Sequence, residues 1–371
     1  MQELKRIINY KRIILLLIAV TVNVVFFLYD NKPVMDEDII NKENVAHETY
    51  IKNYHEEVNA IIDNADKLKK YSIFNKAGSF SYANILQTAR DFERVKNVIL
   101  PEDEYKGVQA YTTYYYQYFF TMLVMMFVIY DMFAQRDNGM WSITYSCANG
   151  RIMYAIKQTG VIVVTGTFTH TLIYWSTFIA AMLQRGGVRD LVNPVQTIET
   201  FDKFTYPWSK IKYVTVLYLI SMVCIVALCI TIWGVFVMFR NRVYALVTML
   251  IFAAVEQFIY SHIDIHSVWN GLHYINIINI ININATFSSY RNWGVGTYVF
   301  PVFSVVLLVH IICAGVIGYI AINVSASMKP YKNTTFIKRF TDCVSAGCQK
   351  ILARIPFLFK EIHKFIFTSH C

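Results

Sequence analysis

Tyr111-Thr-Thr-Tyr-Tyr-Tyr-Gln-Tyr-Phe-Phe120-Thr-Met-Leu-Val-Met-Met-Phe-Val-Ile-Tyr130 runs without a charge and then turns into Asp131-Met-Phe-Ala-Gln-Arg-Asp-Asn-Gly139-Met-Trp141, with Ala148-Asn-Gly-Arg151 and Lys157 beyond it. The first part is long enough to cross a bilayer as a helix, which takes about 20 mostly apolar residues. The second part is polar, amphipathic and broken by Gly, so the boundary marks a span handing over to an elbow in water.

The composition points the same way. Of 371 residues 16% are charged and 56% hydrophobic, with a mean hydropathy of +0.38, whereas a soluble domain carries about a quarter charged residues. Charge-free windows from Gly107 to Tyr130, Gln158 to Gln184, Tyr213 to Phe239 and Trp293 to Met328 are candidate spans. Ile13 to Tyr29, apolar apart from Asn23, and Val243 to Ile263, interrupted by Glu256, complete a set of six. Ile13 to Tyr29 follows Lys5, Arg6, Lys11 and Arg12, but no small-residue cleavage site follows it, which predicts an uncleaved first span.

Lys and Arg near span ends are retained on the cytoplasmic side. Four precede the first span, and eight lie after Met328 against Asp342 and Glu361. Both termini are therefore expected inside, which requires an even number of spans. The interval from Asp30 to Gln109 carries 15 acids and 11 bases, a net charge of −4, against +9 for the chain. The basic excess fits attraction to anionic lipid and gives no reason to expect a nucleic-acid partner. None of the seven cysteines falls in that interval, and Cys343 and Cys348 have no second Cys/His pair at zinc spacing.

The expected organisation is all-α: residues 1–29 a cytoplasmic N-terminus and first span, 30–109 an extracellular helical hairpin, 110–328 a transmembrane domain, and 329–371 a basic amphipathic cytoplasmic tail. In the hairpin Ile51, Tyr54, Val58, Ile61, Ala65 and Leu68 recur at helical spacing. A turn over Ser72 to Ser81 then leads to a second helix from Ile85 through Val95. Pro101 before Glu102, Asp103 and Glu104 is a helix-start pattern, so the second span is expected to begin as a helix outside the membrane. The region of about 265–292 has no charge before Arg291, but it holds Asn270, Asn276, Asn279, Asn282 and Asn284. Asn is costly in hydrocarbon unless paired, and a seventh span would put the basic tail outside. A re-entrant or interfacial segment is expected instead.

Candidates for chemistry are few. No G-x-x-x-x-G-K-[ST] loop is present, so ATP, if used, must be bound by another chain. No G-x-S-x-G elbow is present either, and no catalytic residues are expected. His262 and His266 are spaced for one helical face, but no third metal ligand is evident. Polar residues inside spans must be paired or face water, which singles out Asn23, Gln117, His170, Glu256 and His310. Asn276 and Asn279 join His170, Glu256 and His310 as pathway or gate candidates. Glu256 reads equally as a gate and as an internally paired carboxylate, while a helix-packing hydrogen bond is the simpler reading of His170 and His310. The aromatics of Tyr111 to Phe120 fit an interfacial belt.

The elbow from Asp131 to Lys157 resembles that of the permease subunits of type-2 ATP-binding-cassette exporters, including the bacterial lantibiotic-immunity and multidrug permeases. In that family an acidic stretch, a Gly, a hydrophobic patch, a Pro-x-x-Arg-like turn and a Lys follow the second span. Here the corresponding residues are Asp131 to Asp137, Gly139, Met140 to Tyr145, Ala148 to Arg151, and Lys157. Gln135 stands where an acid is common and Ala148 where Pro is common. The resemblance implies a multi-pass protein of the bacterial cell membrane that pairs with a second permease, the same or paralogous. A separate ATPase, carrying the ATP and Mg, would dock at Gln135, Arg136, Asp137, Asn138, Gly139, Trp141, Asn149, Gly150, Arg151 and Lys157. The cargo would be an amphipathic peptide, drug or lipid moved outward by alternating access. The alternative is a membrane sensor or assembly protein whose external hairpin binds a ligand without transport.

Overall fold

The computed structural model describes residues 10–33, 36–71, 76, 78–101, 106–137, 150–239, 241–263, 267, 269–295 and 297–327, and is mostly helical. The cytoplasmic tail of the sequence reading, with Cys343 and Cys348, lies outside the described residues, as do Glu102, Asp103 and Glu104.

Helix α1 (Tyr10–Asp30) is followed by α2 (Glu37–Leu68) and α3 (Phe80–Glu93). Next come a short α4 (Gly107–Thr113), α5 (Tyr116–Asp137) and the 36-residue α6 (Gly150–Arg185). Three 3-10 turns between Arg189 and Phe201 lead to α7 (Lys210–Met238) and α8 (Arg242–His262). Three short helices, α9 (Asn270–Ile275), α10 (Ile277–Ile281) and α11 (Ile283–Ser288), precede an antiparallel hairpin of β1 (Asn292–Val295) and β2 (Tyr298–Pro301), and α12 is Val302–Ser327.

Among the described residues five helices, α1, α5, α7, α8 and α12, are long and apolar enough to cross a membrane. Helix α6 has the length but is diluted by Thr165, Thr167, Thr169, His170, Thr171, Ser176 and Thr177. Helix α7 is apolar all round, as a buried helix should be: 61% of its apolar window is buried, against 6% for α8 at the periphery. The outward faces of α1, α8 and α12 expose large apolar side chains such as Leu17, Leu250, Phe258 and Leu308. That is the surface a helix presents when its solvent is hydrocarbon.

Contacts between helix ends show how the chain alternates. At one end, Arg12 at the start of α1 pairs with Asp131 near the end of α5. There Arg136 donates to the carbonyl of Phe236 near the end of α7, and Arg242 at the start of α8 lies over the Tyr130 ring. At the other end, Gln184 at the close of α6 donates to the carbonyl of Leu28 in the last turn of α1, and Arg185 to those of Asn31 and Lys32 just after it. Gly186 and Gly187 follow with φ of 72° and 108°, a left-handed turn that Gly makes without steric penalty and that ends α6.

The α2–α3 hairpin sits at this second end. Its own small core comprises Tyr54, Val58, Phe92, Val95 and Leu100, and three residues of the helical stripe, Tyr54, Val58 and Ala65, are buried. Asp36 and Ser79 cap the two helices through their side chains, each such cap being worth about 1 kcal/mol.

Two stretches depart from expectation. The window from Gly107 to Tyr130 is not one helix, because α4 stops at Thr113 and Tyr114 adopts an extended backbone. Thr112 and Thr113 turn their hydroxyls back onto carbonyls one turn earlier, which competes with helical continuity. The window from Trp293 to Met328 is not all helix either. Its first residues, with Gly294 and the β-favouring Tyr298, Val299 and Phe300, form the hairpin, and α12 begins only after Pro301.

Candidate functional site

Three polar assemblies break the apolar bundle. The first is the elbow. Its described parts are the last residues of α5 and the first turns of α6; Asn138, Gly139, Trp141, Ala148 and Asn149 lie outside the described residues, and so do the side chains of Gln135 and Asp137. Gly150, Arg151 and Lys157 stand on α6, with Lys157 exposed. Arg136 turns inward: besides donating to Phe236 O at 2.9 Å, its guanidinium lies 4.6 Å from the centre of the Phe133 ring. It thus anchors the end of α5 to the end of α7, a structural role that reading it as a docking side chain overlooked.

The second assembly is a polar seam between α1, α4–α5, α6 and α7. Asn23, fully buried, donates from Nδ2 to Thr177 Oγ1 at 2.7 Å, and its own Oδ1 accepts from the Tyr114 hydroxyl at 3.1 Å. The break between α4 and α5 is what brings Tyr114 to Asn23. Deeper in, His170 Nε2 lies 2.8 Å from Ser221 Oγ. Because that hydroxyl already donates to Tyr218 O at 2.9 Å, it accepts from His170, which places a hydrogen on Nε2. The rings of Tyr118 and Tyr218 both stack on His170 with centres 5.9 Å away. Its Nδ1 is buried with no partner among the described residues. Gln158 receives Trp233 Nε1 at 3.5 Å toward the other end. Polar groups from four helices thus line one interior stripe, each costly to bury unless paired.

Sequence reading singles out Asn23, Gln117 and His170, takes Tyr114 and Tyr118 for part of an interfacial belt although both are buried in the bundle, and misses Thr177 and Ser221. His170, Tyr174 and Thr177 share one face of α6 at steps of four and three, which is the signal that could have found them.

The third assembly surrounds Glu256. Half-buried on α8, it accepts at Oε2 from Ile277 N at 3.0 Å, and its backbone carbonyl accepts from Asn276 Nδ2 at 2.7 Å. Asn276 also caps α10 by accepting from Ile278 N at 2.8 Å. Buried Asn279 donates to His273 O at 2.5 Å and accepts from Thr286. The Glu256 carboxylate is thus paired within the chain. His310 on α12 bonds within its own helix, to Val306 O at 2.8 Å.

Among the described residues no three His, Cys, Asp or Glu side chains gather as a metal site. His262 bonds to its own helix at Phe258 O, and Asp264 and His266 lie outside the described residues.

Comparison of the chain with protein-family models, with curated proteins and with solved structures gave no match.

Proposed function

We propose that this chain is the permease subunit of an ATP-driven exporter, with a separate ATPase acting on the elbow between α5 and α6. The seam carries the reading: Asn23, Tyr114, Tyr118, His170, Thr177 and Ser221 occupy the interior of a bundle whose outside is apolar. Polar groups at membrane depth face the bundle interior where they line or gate a pathway. A helical anchor would be more stable with leucines in their place. Helices that separate along this stripe would expose hydrogen-bonding groups to cargo, and helices that close would pair them again, as they are here.

In this reading the end of the bundle that carries Arg12, Arg136 and Arg242 is cytoplasmic, by the excess of positive charge near span ends. The acidic α2–α3 hairpin is then external, both termini are inside, and α6 joins the other five helices as the third of six spans. The segment after α8 enters from outside without crossing. The elbow leaves on the cytoplasmic side, where an ATPase can push on α5 and α6 together. A second copy or paralogue of the permease, set in the bacterial cell membrane, completes the transporter, and the ATP and Mg belong to the ATPase.

The test is reconstitution of the purified assembly in liposomes. ATP should drive outward movement of an amphipathic probe, and His170→Leu should reduce transport while ATPase activity persists. A second reading, a membrane sensor, draws on the hydrogen bonds that tie the hairpin to the segment before α12. Under it the hairpin would bind a ligand and the seam would serve only to pack helices. Ligand binding by the hairpin with no ATP-driven movement of the probe would favour it.

A further inference from the structure

We infer that residues 270–301 form a strap that couples the α2–α3 hairpin to α8, so that a displacement at either end is felt at the other. At one end the strap is clasped by Glu256, through Ile277 N, and by the Asn276 side chain on the Glu256 carbonyl. At the other end the Tyr290 hydroxyl donates to Asp91 Oδ2 at 3.0 Å, and Asn292 Nδ2 donates to Asn84 Oδ1 at 2.9 Å, both partners lying on α3. The Phe92 ring packs edge-on against Tyr290 with centres 5.1 Å apart. Gly294 lies so close to the Phe80 ring that a Cβ there would overlap it.

The interval between the two clasps is braced along its length. Asn279 ties the end of α9 to Thr286 on α11. Asn284 accepts from the Tyr213 hydroxyl at 2.6 Å, which fixes the strap to the first turn of α7. Trp293 meets Tyr274 edge-on at 5.7 Å, and Val302 N donates to Arg291 O where α12 begins. Three very short helices cannot hold their shape by themselves, since helices of this length are unstable in isolation. The side-chain bonds, those of Asn276, Asn279, Asn284 and Asn292 among them, supply the rigidity. Such bonds are directional and depend on one another, so releasing one clasp should loosen the whole strap. The event coupled is the docking of α3, and it is the same whether the chain transports or senses.

The experiment is amide hydrogen exchange on the full chain in lipid nanodiscs. Glu256→Ala is expected to speed exchange about tenfold at residues 276–281 and, some distance away, at residues 84–92 of α3. Asn292→Ala should act in reverse, speeding exchange at 276–281. Glu256→Gln keeps an acceptor oxygen toward Ile277 and should leave α3 at the parental rate. The inference is overturned if Glu256→Ala loosens 276–281 and leaves α3 unchanged, or if Asn292→Ala acts on α3 alone. Should Glu256→Ala raise exchange throughout α1, α5 and α7, the protein has unfolded, and Asn292→Ala decides by itself. Because the readout contains no ATP and no cargo, failure here is distinct from failure of the transport reading.

Discussion

Asparagine is the residue that this chain uses against its own environment. Asn23, Asn276 and Asn279 are all buried, and each has its amide engaged. Replacing Asn23 by Leu should destabilise the protein by about 1–3 kcal/mol, because both buried bonds of the amide are lost, to Thr177 Oγ1 and from the Tyr114 hydroxyl, which keeps only the carbonyl of residue 23. Thermal unfolding in detergent would measure it, an unchanged Tm being the contrary result. A second test at this scale concerns Lys210 and Asp190, an ion pair that is completely buried at the foot of α7 and shared with Asn193. Lys210→Met alone strands a buried carboxylate and should cost about 3–5 kcal/mol, whereas Lys210→Met with Asp190→Leu should cost far less. The sequence does not disclose this pair. Its members lie 20 residues apart, and nothing about Lys210 at the edge of an apolar run distinguishes a buried base from one at the water interface.

At the level of elements, spans were easiest to read where the solvent alone decides. Helices α7 and α8 begin and end within a few residues of the limits that charges impose. The stripe of α2 was legible for a similar reason, since a half-buried helix must repeat its apolar residues every three or four positions. What could not be read were the interruptions. The break at Tyr114, the three short helices after Trp269 and the β-hairpin at Asn292–Pro301 each depend on a partner elsewhere: Asn23, Glu256 and α3. The Asn-rich stretch signalled that partners had to exist, without saying which.

The docking of the hairpin carries a pH prediction. His47 on α2 is held below the usual histidine range chiefly by burial, with Lys210 and Lys106 adding to that and Glu199 and Asp190 opposing it. A histidine whose folded pKa is lowered binds its proton more readily when unfolded. Its contribution is complete above about pH 6.5 and is lost as pH falls below that. Lowering the pH from 7.5 to 5.5 should therefore loosen α2, read as lower amide protection factors around residue 47 once the pH dependence of exchange itself is divided out, and His47→Gln should flatten the response. The Tyr290 hydroxyl, pushed up to about 12 mainly by burial, stays a donor to Asp91 across the same interval.

The whole molecule has two unlike ends, an acidic helical hairpin at one and an elbow beside Arg12, Arg136 and Arg242 at the other, joined by a bundle with a polar stripe. That arrangement suits a device in which a push at the elbow opens or closes the stripe. Charge reversal at Asp137 should uncouple ATP hydrolysis from transport while the protein stays folded in the membrane; full transport would remove Asp137 from the docking surface. Arg136→Glu should do more, lowering thermal stability as well, because it also breaks the bond to Phe236 O and the contact with Phe133. The central claim is tested most directly by extracting the tagged chain gently from its native membrane and asking what accompanies it. The account predicts an ATPase subunit in equal amount, its recovery reduced by Asp137→Arg. A folded chain recovered without any nucleotide-binding partner, from membranes and detergents that preserve other transporter complexes, would contradict it.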